Sequence, residues 1–407
     1  MLKIVHLLSF SQILRKFASV RKWFVIILCF LPLSIWASDY DGEEQMETSV
    51  TDSLGQGVKL WRPVSWLLNY LQRTRDPTGK PYDFAFLLGP SYNSTMKFGI
   101  GGGVSCGYTW DLNDITLKRS DATVYLNASI TGMVKTKLEG HNYMKEDRNR
   151  WEYELGLEYL PMNFWGIGYD QGKQNDNKSE YRQFKVLFRP NWLFRLVPHL
   201  YVGPELYMQY VHTYDFEKPW FIGDQRCDIS TYGAGVILQY DSRDIPFNAY
   251  RGNLVKLQQM FYPKFANHYD FQSTEVTFDT FHPVWKGCIL AIDVHGQFLY
   301  GEVPWTMLSL VGLDGRMRGY YEGRYRDRDI VEAQAELRQH IYDRFGMVAW
   351  VGAANVFHDV YSYQWNNTLP SYGLGLRVEL KKRVNIRLDF GFTKNKPGFD
   401  FKLYEAF

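Results

Sequence analysis

A chain of 407 residues with 46 basic and 44 acidic side chains has a formal charge of +2, a balance that speaks against a nucleic-acid partner on electrostatic grounds. A hydrophobic content of 45% is ordinary, whereas 17% aromatic residues, led by 29 Tyr and 27 Phe, is not. Of four cysteines, Cys29 lies in the amino-terminal apolar run; the other three, Cys106, Cys227 and Cys288, are widely spaced and odd in number, with no CxxC pair or His/Cys cluster, so no disulfide framework, metal site or cofactor is expected.

Five basic residues, Lys3, Arg15, Lys16, Arg21 and Lys22, precede the apolar run Trp23 to Ala37. That run is shorter than the roughly 20 residues a spanning helix needs, so residues 1–37 read as a secretory signal peptide cut near Ser38. Its loss removes five basic residues and no acidic one, which turns +2 into −3 for the remainder. Residues 38–53, "SDYDGEEQMETSVTDS", have the composition of a disordered acidic leader. The next stretch, "LWRPVSWLLNYLQR" (60–73), fits a short amphipathic helix at a membrane rim or an apolar lead-in packed on a first strand. Together these make 38–80 a leader and 81–407 the folded body.

From residue 81 onward apolar and polar residues alternate to the last residue. In "SYGLGLRVEL" Tyr372, Leu374, Leu376, Val378 and Leu380 share one face and Arg377 and Glu379 the other; "RVNIRLDFGF" repeats the pattern with Ile386, Leu388 and Phe390 against Arg387 and Asp389. In "VEAQAELRQHI" Val331, Ala333, Ala335 and Leu337 oppose Glu332, Gln334, Glu336 and Arg338. A soluble sandwich shows the same alternation per strand. Its persistence over the whole body, with the aromatic excess, favours an all-β fold: a transmembrane antiparallel β-barrel of about 16 strands, closed because closure removes exposed edges.

Barrels of this kind have short turns at one end and long polar loops at the other. The long loops are expected at 140–150, 170–180, 214–227 and 361–370, and the longest at about 301–329. "DSRD" (Asp241 to Asp244) with Gly252 reads as a hairpin at the short-turn end with a structural ion pair. Asp293 and His295 share a polar strand face, but no serine is placed to complete a triad, so no enzyme activity is expected. The closing stretch "FDFKLYEAF" puts Phe399, Phe401, Leu403 and Phe407 in one phase, and Phe407 looks like the carboxy-terminal assembly signal of outer-membrane barrels; Glu405 departs from that phase.

"YDSRDIPFNAYRG" (240–252), "GLDGRMRGYYEGRYRDRD" (312–329), "AELRQHIYDRFGMVAWVGAANVF" (335–357) and "YGLGLRVELKKRVNIRLDFGF" (372–392) occur in an order that resembles the surface-antigen superfamily of outer-membrane barrels, the BamA/TamA type. The resemblance covers about 230–407 and implies sixteen strands and a sixth surface loop folded into the lumen with an Arg-Gly-aromatic tip. The matching positions are Arg318, Gly319 and Tyr320, after Met317 where a small aliphatic residue is usual. The implied wall partners are Glu336 and Trp350; an acidic residue usual two positions after the aromatic is here Gly352, which leaves Asp389 or Glu379 as substitutes. Arg324 to Asp329 are expected to line the route from tip to wall. With only about 43 residues in 38–80, no periplasmic POTRA domain is expected. The resemblance places the chain in the outer membrane of a Gram-negative bacterium, in contact with outer-membrane lipid and with the barrel-assembly machinery during biogenesis. It implies a role in inserting or translocating a client polypeptide or lipid, with a passive pore or structural surface antigen as the alternative.

Overall fold

The computed structural model describes residues 82–407 apart from 94–96, 112–119, 222, 224, 247, 314, 382–383, 395–396 and 404. The segments read as signal peptide (1–37) and leader (38–80) lie outside the described residues. The alternating body forms β1 (Tyr82–Asn93), β2 (Lys97–Tyr108), β3 (Ser120–Ser129), β4 (Val134–Tyr143), β5 (Asn149–Phe164) and β6 (Ser179–Val197). Next come β7 (Leu200–Tyr214), β8 (Asp228–Asp241), β9 (Gly252–Tyr262), β10 (Phe271–Trp285) and β11 (Cys288–Gly301). Two short strands, β12 (Ser309–Leu310) and β13 (Arg326–Asp327), pair only with each other. The wall resumes with β14 (Asp329–Tyr342), β15 (Phe345–Phe357), β16 (Leu369–Lys381), β17 (Val384–Thr393) and β18 (Gly398–Leu403). Among the described residues sixteen strands, all but β12 and β13, pair antiparallel in chain order, and β1 meets β18 to close a barrel.

The side-chain pattern is that of a globule turned inside out. On β14 Val331 and Leu337 are exposed on the outer face, while Glu332, Gln334, Glu336 and Arg338 are buried inside. Leu374, Leu376, Phe390 and Phe392 likewise face outward, and Arg377, Arg387 and Asp389 inward. Such an exterior is stable only where lipid replaces water, and closure satisfies the backbone that lipid cannot. No described helix is long and apolar enough to cross a membrane; the strands do the crossing.

At one end the turns are tight, as at 198–199, 286–287 and 343–344; at the other, 165–178, 215–227, 263–270, 302–328 and 358–368 are long. Counted along the long-loop end, 302–328 is the sixth connection. Residues 140–150, expected as a long loop, are instead mostly strand: β4 runs to Tyr143 and β5 starts at Asn149, with 144–148 forming a tight connection at the short-turn end. Their polar residues divide between buried strand and turn positions (Asn142, Asp147, Arg150) and an exposed turn (Lys145, Glu146, Arg148), in which Glu146 and Asp147 turn the chain with φ of 57° and 52°.

That connection and the Asp241–Gly252 hairpin form one staple. Arg243 Nε reaches Asp241 at 3.0 Å, the expected ion pair, but Arg150 joins it. Arg150 Nε donates to Asp147 (2.8 Å), Nη1 lies 3.6 Å from Asp241, and the guanidinium stacks 3.8 Å from the Tyr201 ring. Removing one partner of a buried ion pair costs roughly 3–5 kcal/mol. Arg150→Leu is therefore expected to lower the temperature at which the barrel loses its heat-modifiable gel shift while leaving protease resistance of loop 302–328 intact; an unchanged transition would show the staple to be dispensable.

Candidate functional site: the lumenal loop tip

Loop 302–328 descends into the barrel. Near its start Trp305 sits edge-on to Phe164 and Tyr181 (centroids 5.5 and 5.6 Å apart), and its Nε1 donates to the Arg226 carbonyl at 3.2 Å. With Met133, Leu160, Met162, Ile229 and Leu308 it forms an apolar stopper inside the long-loop end. Deeper, Val311, Met317, Tyr320 and Tyr325 pack on Tyr169, Ile330, Ala354, Val356 and Leu369.

The tip is a backbone-to-backbone contact. Gly319 has φ 97°, and a Cβ there would lie 2.8 Å from Thr393 Cγ2 and 3.2 Å from the Gly391 carbonyl oxygen. Opposite, a Cβ on Gly391 would come within 2.7 Å of the Arg318 carbonyl oxygen. Two glycines thus let the loop lie directly on β17. Ser371 Oγ donates to the Arg318 carbonyl (2.8 Å), and Tyr320 Oη donates to the Pro370 carbonyl (2.9 Å).

Arg318 is 2% exposed. Its Nη2 donates to Glu336 Oε2 at 2.8 Å and its Nη1 to Asp389 Oδ2 at 2.9 Å, and its guanidinium lies 3.8 Å from the Trp350 ring. A desolvated arginine needs this many partners. Each carboxylate is shared: Glu336 also accepts from Arg338 (2.7 Å), and Asp389 from Arg377 (2.6 Å), with Arg387 3.2 Å away. Of the two substitutes for the acid missing at Gly352, the structure uses Asp389; Glu379 lies at the short-turn end opposite Asn385. At Gly352 itself a Cβ would meet Met317 Sδ at 3.4 Å, so the larger tip residue occupies the space an acid would need.

Sequence reasoning missed a second anchor. Arg316 grips Asp293 with Nε (2.9 Å) and Nη2 (2.9 Å), and Gln334 Nε2 donates to the same carboxylate at 3.2 Å. A two-residue spacing, Arg316 and Arg318, was the available signal: in an extended tip both side chains can reach a wall. Beyond the tip the expected path along the wall holds for Arg328, which donates to the Leu299 carbonyl (2.9 Å), and for Asp329, which accepts from the Leu299 amide (3.0 Å). It does not hold for Arg324, which reaches across to loop 165–178 through the Gly172 carbonyl (2.9 Å) and Asn175 (2.8 Å). There the short helix α1 (Tyr169–Lys173) brings Gly172 against Tyr325. Phe407 is also displaced from its expected place: β18 stops at Leu403, and Phe407 lies inside the barrel against Phe281.

A closed sixteen-stranded barrel with an apolar exterior, a charged lumen and a sixth loop locked inside by an Arg-Gly-aromatic tip defines a class of bacterial outer-membrane β-barrel. The chain belongs to the Omp85 superfamily, whose domain model matches residues 100–403. Among solved structures it is similar to BamA from Haemophilus ducreyi lacking POTRA domains 1–3, with TM-score 0.51, 13% identity, and coverage of 85% of this chain and 79% of that one. It is also similar to CdiB from Acinetobacter baumannii (TM-score 0.52, 12% identity, 80% of this chain and 60% of that one). CdiB from Escherichia coli gives TM-score 0.53 and 12% identity over 80% of this chain and 62% of that one. The chain thus spans less than two thirds of either CdiB. Among curated proteins none matches the sequence.

Arg318→Ala would leave Glu336 and Asp389 facing other arginines around a void and release the tip. Trypsin is expected to cut within 315–328 in folded barrels, and the heat-modifiable shift to be lost at lower temperature. Arg324→Ala is expected to loosen loop 165–178, so that trypsin cuts more readily after the already exposed Lys173 and Lys178, with the tip still protected. The same cleavage pattern in both variants would show that the loop is held as one piece rather than at separate anchors.

Proposed function

We propose that the protein aids insertion or translocation of proteins or lipids at the outer membrane, using the seam between β1 and β18 as its working edge. The observation that carries this reading is the mismatch of the two strands. β1 pairs with β2 along its full length, from Tyr82 opposite Tyr108 to Asn93 opposite Lys97. On its other side Tyr92 stands opposite Phe401. That antiparallel register aligns Leu403, the end of β18, with Pro90, so among the described residues no strand lies opposite Tyr82 to Gly89 on the seam side. A seam at which two strands meet over so short a stretch is the part of the wall that opens most readily to pairing with another chain. The client, polypeptide or lipid, and any partner machinery belong to this proposal.

His295 and Asp293 are part of the lumenal staples in this reading and not of a hydrolase. Both imidazole nitrogens face carboxylates, Nδ1 that of Glu332 (3.0 Å) and Nε2 that of Glu275 (3.2 Å), while Asp293 is held by Arg316. A lipase activity abolished by His295→Ala would contradict it.

The seam is tested by locking it. A Tyr92→Cys, Phe401→Cys pair, oxidised in proteoliposomes, is expected to reduce insertion of a urea-denatured outer-membrane barrel to background, and reduction to restore it. Insertion indifferent to the lock would remove the seam from the mechanism. Ion conductance without any insertion would favour the passive pore or surface antigen, although the stopper around Trp305 favours low conductance.

A further inference from the structure

Past β18 the chain leaves the wall and its last three residues each enter a fitted contact. Glu405 accepts from Arg377 Nε (2.8 Å) and Asn385 Nδ2 (2.7 Å). Ala406 is buried, its carbonyl oxygen 3.2 Å from where a Cβ on Gly315 would stand. The Phe407 ring lies between the Arg338 guanidinium (5.1 Å) and Phe281 (centroids 6.2 Å), in a niche with Ala249 and Ala291, and its main-chain oxygen accepts from Arg338 Nη2 at 3.0 Å. Arg338 and Arg377 are 7% and 5% exposed. A cavity of about 710 Å³ opens beside this corner at the short-turn end, and Arg338, Arg377, Asn385 and Glu405 line it together with Tyr250 and Trp285.

We propose that this corner is a peptide site for a carboxylate–small–aromatic segment, occupied in cis by residues 405–407 and open in trans to a segment of the same chemistry entering from the cavity. Three features carry it. The contacts differ by position: a carboxylate pocket, a buried position filled by the small Ala406, and a cation–aromatic niche. Among the described residues 405–407 are held through side chains and one main-chain oxygen, outside the strand ladder, so they can leave without unzipping the sheet. The receptor residues Arg338, Arg377 and Asn385 already border open space on the side a second segment would approach. A tethered tail competes at an effective concentration on the order of millimolar, so a trans ligand is expected to show its affinity only once the tail is weakened.

The probe is a fluorescent pentapeptide of residues 403–407, "LYEAF", with an amidated end so that its glutamate carries the only carboxylate. Anisotropy is measured on the full barrel in detergent micelles, with the heat-modifiable shift verifying the fold. Phe407→Ala and Glu405→Gln, which loosen the resident tail, are expected to bind the peptide about tenfold or more tightly than the wild type, and peptides with glutamine for the glutamate or alanine for the phenylalanine to lose a similar factor, as for a lost charge-assisted hydrogen bond or buried ring. Asn385→Ala, which spares the buried arginines, is expected to weaken trans binding when combined with Phe407→Ala. Binding that is no tighter in the tail variants than in the wild type, or that is equal for all three peptides, overturns the proposal. No client insertion is involved, so the result stands apart from the seam experiment.

Discussion

Burial of one guanidinium organises the lumen. Arg318 has left water entirely, and a cation in that position is tolerated only while opposite charge and an aromatic face surround it. The partners come from three different strands: Glu336 from β14, Trp350 from β15 and Asp389 from β17. The loop that carries Arg318 is therefore fixed to four adjacent strands at once, β16 joining through Ser371. The close approach at Gly319 and Gly391 follows from the same requirement, since a side chain at either position would hold the guanidinium away from its carboxylates.

The lumen is consequently two different surfaces. On the wall from β11 to β17 charge is covered by the loop and arranged as alternating arginines and carboxylates. On β4 to β6 the arginines Arg150 and Arg189 are joined by lysines that stay partly open, with Lys135 2.9 Å and Lys185 3.5 Å from Glu158, and Lys137 2.7 Å from Glu139. Arginine suits the first wall because its planar fork serves two carboxylates at once, and lysine suits the second because a hydrated point charge needs water nearby. The apolar cluster around Trp305 fills part of the lumen toward the long-loop end.

Much of this was legible in the sequence. Period-two alternation reports the wall directly, because each strand has one face toward lipid and one toward the lumen; the resemblance in motif order along the last third of the chain implied Arg318, Glu336 and Trp350, and left Asp389 and Glu379 as alternatives. Three features were not legible, for physical reasons. Residues 140–150 look like a loop because a lumen-facing strand may be as polar as a solvated one. The pairing of Arg316 with Asp293 joins two charges whose alternatives, a neighbouring Glu332 or a solvated loop, have the same sequence signature. The inward turn of Glu405 to Phe407 breaks a phase that Phe399, Phe401 and Leu403 had established, and the only hint was Glu405 standing where an apolar residue was due.

That last departure ties the two ends of the site together. Asp389 lies between Arg318 of the loop and Arg377 of the wall, and Arg377 in turn holds Glu405 of the tail. A carboxylate shared by two arginines cannot move toward one without loosening the other. Displacing the tail would free Arg377 to draw on Asp389 and weaken the grip on Arg318; releasing the loop would free Asp389 to draw on Arg377 and weaken the hold on Glu405. Asp389 stands on β17, next to β18, and Arg377 on β16 beyond it. Loop and tail are thus linked through a single carboxylate, and a change at either has a direct electrostatic route to the other.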